Sequence, residues 1–133
     1  MGPVDASRTR ERIEAWPEHW RRHGFGLWAV EEKASGRMIG RLGLVHHEDW
    51  AASEHDAEVG WTRASSAWGR RYATEGAQAA LEFACRVGLR QIISITLPTN
   101  ARSQRVMQKL GLTYRAEANW HGFDQVWYAT RVP

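Results

Sequence analysis

The segment from Tyr72 to Leu97 constrains the fold most. Between Tyr72 and about Val87, the residues Ala73, Ala77, Ala80, Leu81 and Ala84 recur on one face of a helical repeat. They form a narrow stripe of small side chains, which lets a helix lie close against a sheet. Gly88 follows as a helix terminator. The next stretch, QIISITL, is rich in β-branched residues and lacks polar alternation, as a buried central strand requires. A small-faced helix running into a buried strand predicts a mixed fold built on one main sheet.

The rest of the chain supplies partners for that sheet. Residues 7–23, SRTRERIEAWPEHWRRH, read as a helix capped by Ser7 or Thr9, with Ile13, Trp16 and Trp20 at helical spacing. Pro17 is a kink point and Gly24 a stop. FGLWAVEEK and MIGRLGLVHH flank the turn ASGR and predict a hairpin. HEDWAASEHD is a polar loop anchored by Trp50, AEVGWT a short strand, and RASSAWGRR a loop. PTNARSQRVMQKLGL predicts a turn and a helix closed by Gly111; TYRAEANW and FDQVWYATRV then form a hairpin through HG. The order is helix, three strands, helix, strand, helix, two strands. This is one α+β domain over residues 1–133, without repeat or linker.

Composition removes several function classes. No apolar run approaches the roughly 18 residues of a membrane helix. The opening MGPVDASRTRERIEAW has no apolar core of a signal peptide. A single cysteine, Cys85, allows no internal disulfide, and a cytoplasmic location is the default. Cys85 lies by the small-residue stripe and is expected to be buried. The net charge is +3, but the arginines are spread along the chain, whereas a nucleic-acid footprint concentrates on one face. No nucleic-acid partner is expected. A smaller basic site for a phosphorylated cofactor fits the charge as well. His46, His47, Glu48, Asp49, His55 and Asp56 are of metal-ligand type, yet their spacing matches no defined zinc motif, so no metal is expected.

The stretch WGRRYATEG, residues 68–76, carries the first chemical signal. A loop that opens a helix points backbone N–H groups outward at the positive end of the helix dipole, which suits phosphate. Gly69 permits close approach, and Arg70 and Arg71 add charge. The alternative is an ordinary helix start with two solvated arginines. Gly60 interrupts AEVGWT, as at a bulge or a close backbone approach. Asn100 stands at a helix start, a routine cap position, with Ser103 one turn later.

Taken in this order, GFGLWAV, GRMIGRLGL, EVGW, WGRRYATEGAQAALEFA, TNARSQRVMQKLGL and HGFDQVWYA resemble the GNAT superfamily of acetyl-CoA-dependent N-acyltransferases. Within it they resemble the ribosomal-protein N-terminal acetyltransferase-like branch, over essentially the whole chain. The resemblance implies the GNAT fold, with a mixed central sheet splayed at the cofactor site and acetyl-CoA as co-substrate. It implies a pyrophosphate turn over Trp68, Gly69, Arg70, Arg71, Tyr72, Ala73 and Thr74. Trp68 stands at the usual glutamine or arginine position, Arg71 at the middle glycine and Ala73 at the last small residue. The pantetheine arm would pair with the strand from Val59 through Trp61 to Arg63. Asn100 matches a cofactor-binding position near the thiol end, and Ser103 one that also protonates the departing thiolate. Glu58 matches an acidic position near the acceptor amine. Its side chain is that catalytic group, a surface carboxylate, or a partner for a nearby arginine.

The function implied is transfer of acetyl to a primary amine, from a small molecule or a peptide, by direct attack in a ternary complex. The competing expectation is a non-catalytic acyl-CoA-binding module from a shortened domain. Two departures bear on the choice. Arg71 is tolerated if the turn is already helical there and strained if it needs a positive φ. The chain also begins near the second family helix, an N-terminal shortening that leaves residues 26–32 as an edge and predicts a homodimer covering it. Met107 stands where many relatives carry a tyrosine acid, and core packing is expected of it. His121, in the last turn, either faces the acceptor or is solvated.

Overall fold

The computed structural model describes residues 18–31, 36, 38–63 and 70–132. The readings made above for residues 7–17, most of the ASGR turn, and the loop with Trp68 and Gly69 lie outside these residues. Residues 18–23 are helical, α1, and the end is tied by the Gly24 N–H donating to the Trp20 carbonyl at 2.8 Å. Then follow β1 (Leu27–Glu31), β2 (Met38–Val45), β3 (Ala57–Arg63), α2 (Arg70–Arg86), β4 (Gln91–Thr96), α3 (Ala101–Lys109), β5 (Thr113–Trp120) and β6 (Phe123–Arg131).

The six strands form one sheet in the order β1-β2-β3-β4-β6-β5. All neighbours are antiparallel except β3 and β4, which run parallel. Parallel neighbours need a long crossover, and α2 supplies it. Its stripe does what the sequence required: Ala73, Ala77, Ala80, Leu81 and Ala84 are all buried. They meet Leu42, Leu44, Val59 and Ile92 of the sheet in one core, with Val106 and Met107 from α3. A Cβ at Gly76 would collide with the Leu42 side chain, so this residue sets how close α2 can come to β2. Gly88 ends α2 at φ +85°, and the Leu89 N–H returns to the Ala84 carbonyl at 2.9 Å.

Cys85 departs from expectation and is exposed. One residue past Ala84, it is turned about 100° away from the buried stripe. Gly60 is not a bulge; it pairs regularly with Gly43 on β2. Met107 is a core residue, 1% exposed. Among the described residues no helix is long and apolar enough to cross a membrane.

Candidate active site

The sheet opens where β3 and β4 part. They pair only at Ala57 with Ile92 and Glu58 with Ile93. Beyond that point Val59–Arg63 stays with β2, and Ser94–Thr96 stays with β6. Buried peptide groups that lose a ladder need other partners. Two side chains supply them at the vertex. The Ser94 hydroxyl donates to the Val59 carbonyl at 2.8 Å, and the Ile95 N–H donates to Glu58 Oε2 at 2.8 Å. The edge of β3 past the vertex can therefore take an extended partner by strand addition.

The sequence-predicted residues fall around this opening in three groups. Val59 is fully buried in the core, Trp61 packs on its margin, and Arg63 ends β3. Arg70, Arg71 and Tyr72 begin α2, so the backbone at Arg71 is already helical. Ala73 is buried and Thr74 half-buried behind them. Asn100 caps α3, its side-chain oxygen accepting the Ser103 N–H at 3.1 Å. The Trp61 indole N–H donates to Ser103 Oγ at 3.2 Å, joining β3 to α3.

Successive side chains on a strand alternate faces, so Glu58 and Trp61 lie on opposite faces of β3. Glu58 and the Trp61–Ser103 pair thus address the opening from opposite sides, three residues or roughly 10 Å apart along the strand. Gly60 lies on the Glu58 face, where a Cβ would come within 3.9 Å of the Glu58 carboxyl carbon.

Glu58 is not a surface carboxylate, and among the described residues no arginine pairs with it. Its side chain is 14% exposed, and its Oε1 accepts from His47 Nε2 at 2.6 Å. The sequence puts His47 in a polar loop bordering the acceptor cleft and assigns it no role of its own. The usable signal was the hairpin register: Val45 pairs with Glu58, so the residues just after β2 can fold back over that carboxylate.

His47 is itself held. Its backbone N–H donates to His55 Nε2 at 3.1 Å, and its ring meets Trp120 edge-on, with centroids 4.8 Å apart. Trp120 stands perpendicular to Trp50, which in turn stands edge-on to Trp127. His46 Nδ1 donates to the Asp56 carbonyl at 3.1 Å, and His46 stacks on His55. Burial, then the neighbouring His46 and His47, push the His55 pKa down to about 4. His121 lies in the last turn at φ +54° and contacts Asp49 Oδ2 at 2.6 Å; that hydrogen bond holds the Asp49 carboxyl below its ordinary range.

An open pocket of about 420 Å³ lies in front of this loop, lined by His46, His47, Trp50, His55, Asp56 and Gln91 among others. Among the described residues no three histidine, cysteine or acidic side chains converge as metal ligands.

The comparisons agree with this architecture. Residues 1–113 match the family described as Acetyltransferase (GNAT) domain. The Bacillus subtilis protein YkkB is 29% identical over 114 residues, covering 85% of this chain; the chain spans only 65% of YkkB. An acetyltransferase from Agrobacterium tumefaciens superimposes with a TM-score of 0.78 at 26% identity, over 96% of this chain and 73% of that one. RimL, a ribosomal L7/L12 α-N-protein acetyltransferase solved in complex with coenzyme A, gives a TM-score of 0.75 at 18% identity, over 97% and 74% of the two chains. With the family matched over most of its length and the same fold recovered in solved acetyltransferases, this chain belongs to the GNAT acetyltransferase family, whose members use acetyl-CoA as co-substrate.

Proposed function

We propose that the protein is an N-acetyltransferase that moves acetyl from acetyl-CoA to a primary amine in a ternary complex. The observation that carries this reading is the parting of β3 from β4 after Glu58 and Ile93, with Glu58 at the vertex and Ser103 bonded to Trp61 beyond it. Acetyl-CoA supplies an activated carbonyl and a thiolate leaving group. The free edge of β3 from Val59 to Arg63 offers the pantetheine arm main-chain partners. The start of α2, with Arg70 and Arg71, offers the pyrophosphate an N-terminal helix dipole and charge. Asn100 and Ser103 serve the thiol end, where the Ser103 hydroxyl protonates the departing sulfur. The Glu58 cluster serves the acceptor end.

A protein N-terminal α-amine is the favoured acceptor, by analogy with RimL alone. We place the enzyme in the cytoplasm. β1 stands at one edge of the described sheet, and pairing there between two copies is part of the same reading.

The test is thiol release from acetyl-CoA against a panel of amines, including peptides with free N-termini, beside a thermal shift with acetyl-CoA. Turnover that falls in Ser103→Ala supports the reading. A clear shift with no thiol release from any amine would leave an acyl-CoA-binding module instead.

A further inference from the structure

Glu58 is badly placed to take a proton from an incoming amine. Both of its oxygens already accept hydrogen bonds, one from the Ile95 N–H and one from His47 Nε2, and little of the side chain reaches solvent. We infer that His47 is the group that takes the acceptor amine's proton, and that Glu58 acts through it as a positioning carboxylate. This rests on the acetyltransferase reading above.

The geometry fixes which ring nitrogen does the work. An ionised carboxylate only accepts, so at 2.6 Å the proton between the two groups belongs to His47 Nε2. In the neutral ring the lone pair is then on Nδ1. The ring cannot easily turn away. Its backbone is tied to His55 and its edge is packed on Trp120. His47 also lines the open pocket, whereas Glu58 is not among the residues that line it. Once His47 takes a proton, the adjacent carboxylate stabilises the imidazolium, as the buried aspartate does in a catalytic triad.

The proton count gives His47 one defined task. An acceptor arrives as an ammonium with three N–H bonds and leaves as an amide with one. His47 Nδ1 takes the first proton, which frees the nitrogen lone pair to form the C–N bond. The C–S bond breaks, and its electron pair leaves on sulfur. Ser103 Oγ–H protonates that sulfur, and the second nitrogen proton restores the Ser103 hydroxyl. His47 then releases the first proton to water in the pocket. One proton per turnover reaches solvent.

The groups that face His47 are Glu58 from β3, His46, Asp49 and His55 from the loop, and, through Asp49 and Trp120, His121 from the β5–β6 turn. The deciding variant is His47→Gln, whose amide can still donate to Glu58 but cannot accept a proton. We expect kcat to fall by about 10² to 10⁴, with KM for acetyl-CoA and the acetyl-CoA thermal shift unchanged. Added imidazole should restore part of the rate in His47→Ala. Near wild-type turnover in His47→Gln would reduce His47 to a prop for Glu58 and overturn the inference. Nitrogen NMR of the ring gives a readout that does not need turnover: wild type should carry its proton on Nε2, and a neutral ring protonated on Nδ1 overturns the assignment. Wild type that binds acetyl-CoA yet acetylates no amine removes the enzymatic reading, and the role of His47 with it, even where the NMR tautomer is as expected.

Discussion

The indole N–H of Trp61 donates to the hydroxyl oxygen of Ser103 across 3.2 Å, tying the free stretch of β3 to the first turn of α3. The bond occupies an acceptor lone pair of Ser103, so the hydroxyl proton is left for another partner. With the Ser103 N–H held by the Asn100 side chain, both ends of that serine are oriented. Replacing Trp61 by Phe keeps an aromatic ring, smaller than the indole, and removes one neutral hydrogen bond, which is worth about 0.5–1.5 kcal/mol. Thiol-release assays should therefore show kcat reduced by roughly 2- to 10-fold, against a larger loss in Ser103→Ala. Equal activity in Trp61→Phe and wild type would mean that the indole does not orient Ser103.

Asp56 fastens the start of β4. Its Oδ2 accepts the backbone N–H groups of both Arg90 and Gln91 at 2.8 Å, and these two bonds, Gln91 first, hold its pKa below the ordinary value. A carboxyl depressed in the folded state contributes stability that is present above its unfolded pKa and lost as pH falls through the folded one. Asp56→Ala should cost about 1.5–3 kcal/mol at neutral pH, and the gap from wild type should narrow below about pH 4. Denaturant midpoints at pH 7 and pH 3 test this. A gap independent of pH would assign the loss to packing.

His55 should set a second acid sensitivity, at higher pH. Its pKa is lowered to about 4 in the fold, and its ordinary value is about 6.5. The folded state therefore favours the neutral ring. Its contribution is intact above pH 6.5 and is lost as pH falls toward 4. Protonation would also remove the acceptor that Nε2 offers to the His47 N–H. His55→Gln keeps an acceptor that does not titrate, so its melting temperature should fall less than that of wild type between pH 6.5 and 4. Parallel curves would show that another group carries the transition.

Arg71 can be tested by its replacement with glycine. The residue stands in the first turn of a regular helix, so glycine is not needed there for backbone freedom and should lower the unliganded stability by about 1 kcal/mol. Acetyl-CoA at about 100 times its Kd should stabilise wild type by about 2.7 kcal/mol. The glycine variant should gain less at the same concentration. A larger gain would mean that arginine obstructs the turn.

The sequence was most legible where neighbours in the chain are neighbours in space. The alanine stripe and QIISITL predicted α2 and β4, and Gly24, Gly88 and Gly111 all lie at positive φ at helix ends. Asn100 capped the helix that it was expected to cap. The strand order was not legible, because β6 enters between β4 and β5 through long-range pairing. The contact between His47 and Glu58 was also hidden. It needs the β2–β3 register to be known before the loop can be folded back. Cys85 was misread by one helical position, enough to move it from core to solvent.

The narrow seam between β3 and β4 has a mechanical consequence. The sheet consists of two leaves of three strands, and each leaf is written in one uninterrupted passage, up to Arg63 and from Gln91 onward. Within a leaf the ladders are long; across the seam β3 and β4 share two register pairs, helped by side-chain bonds from Ser94 and Glu58 at the vertex and from Asp56 at the closed end. Each leaf can assemble from contacts local in the chain, and α2 shares one core with both. The hinge line of the molecule is thus also its opening for a ligand. Anything that fills the wedge acts as a splint, and amides along the seam should be the first to slow their exchange with solvent when it does.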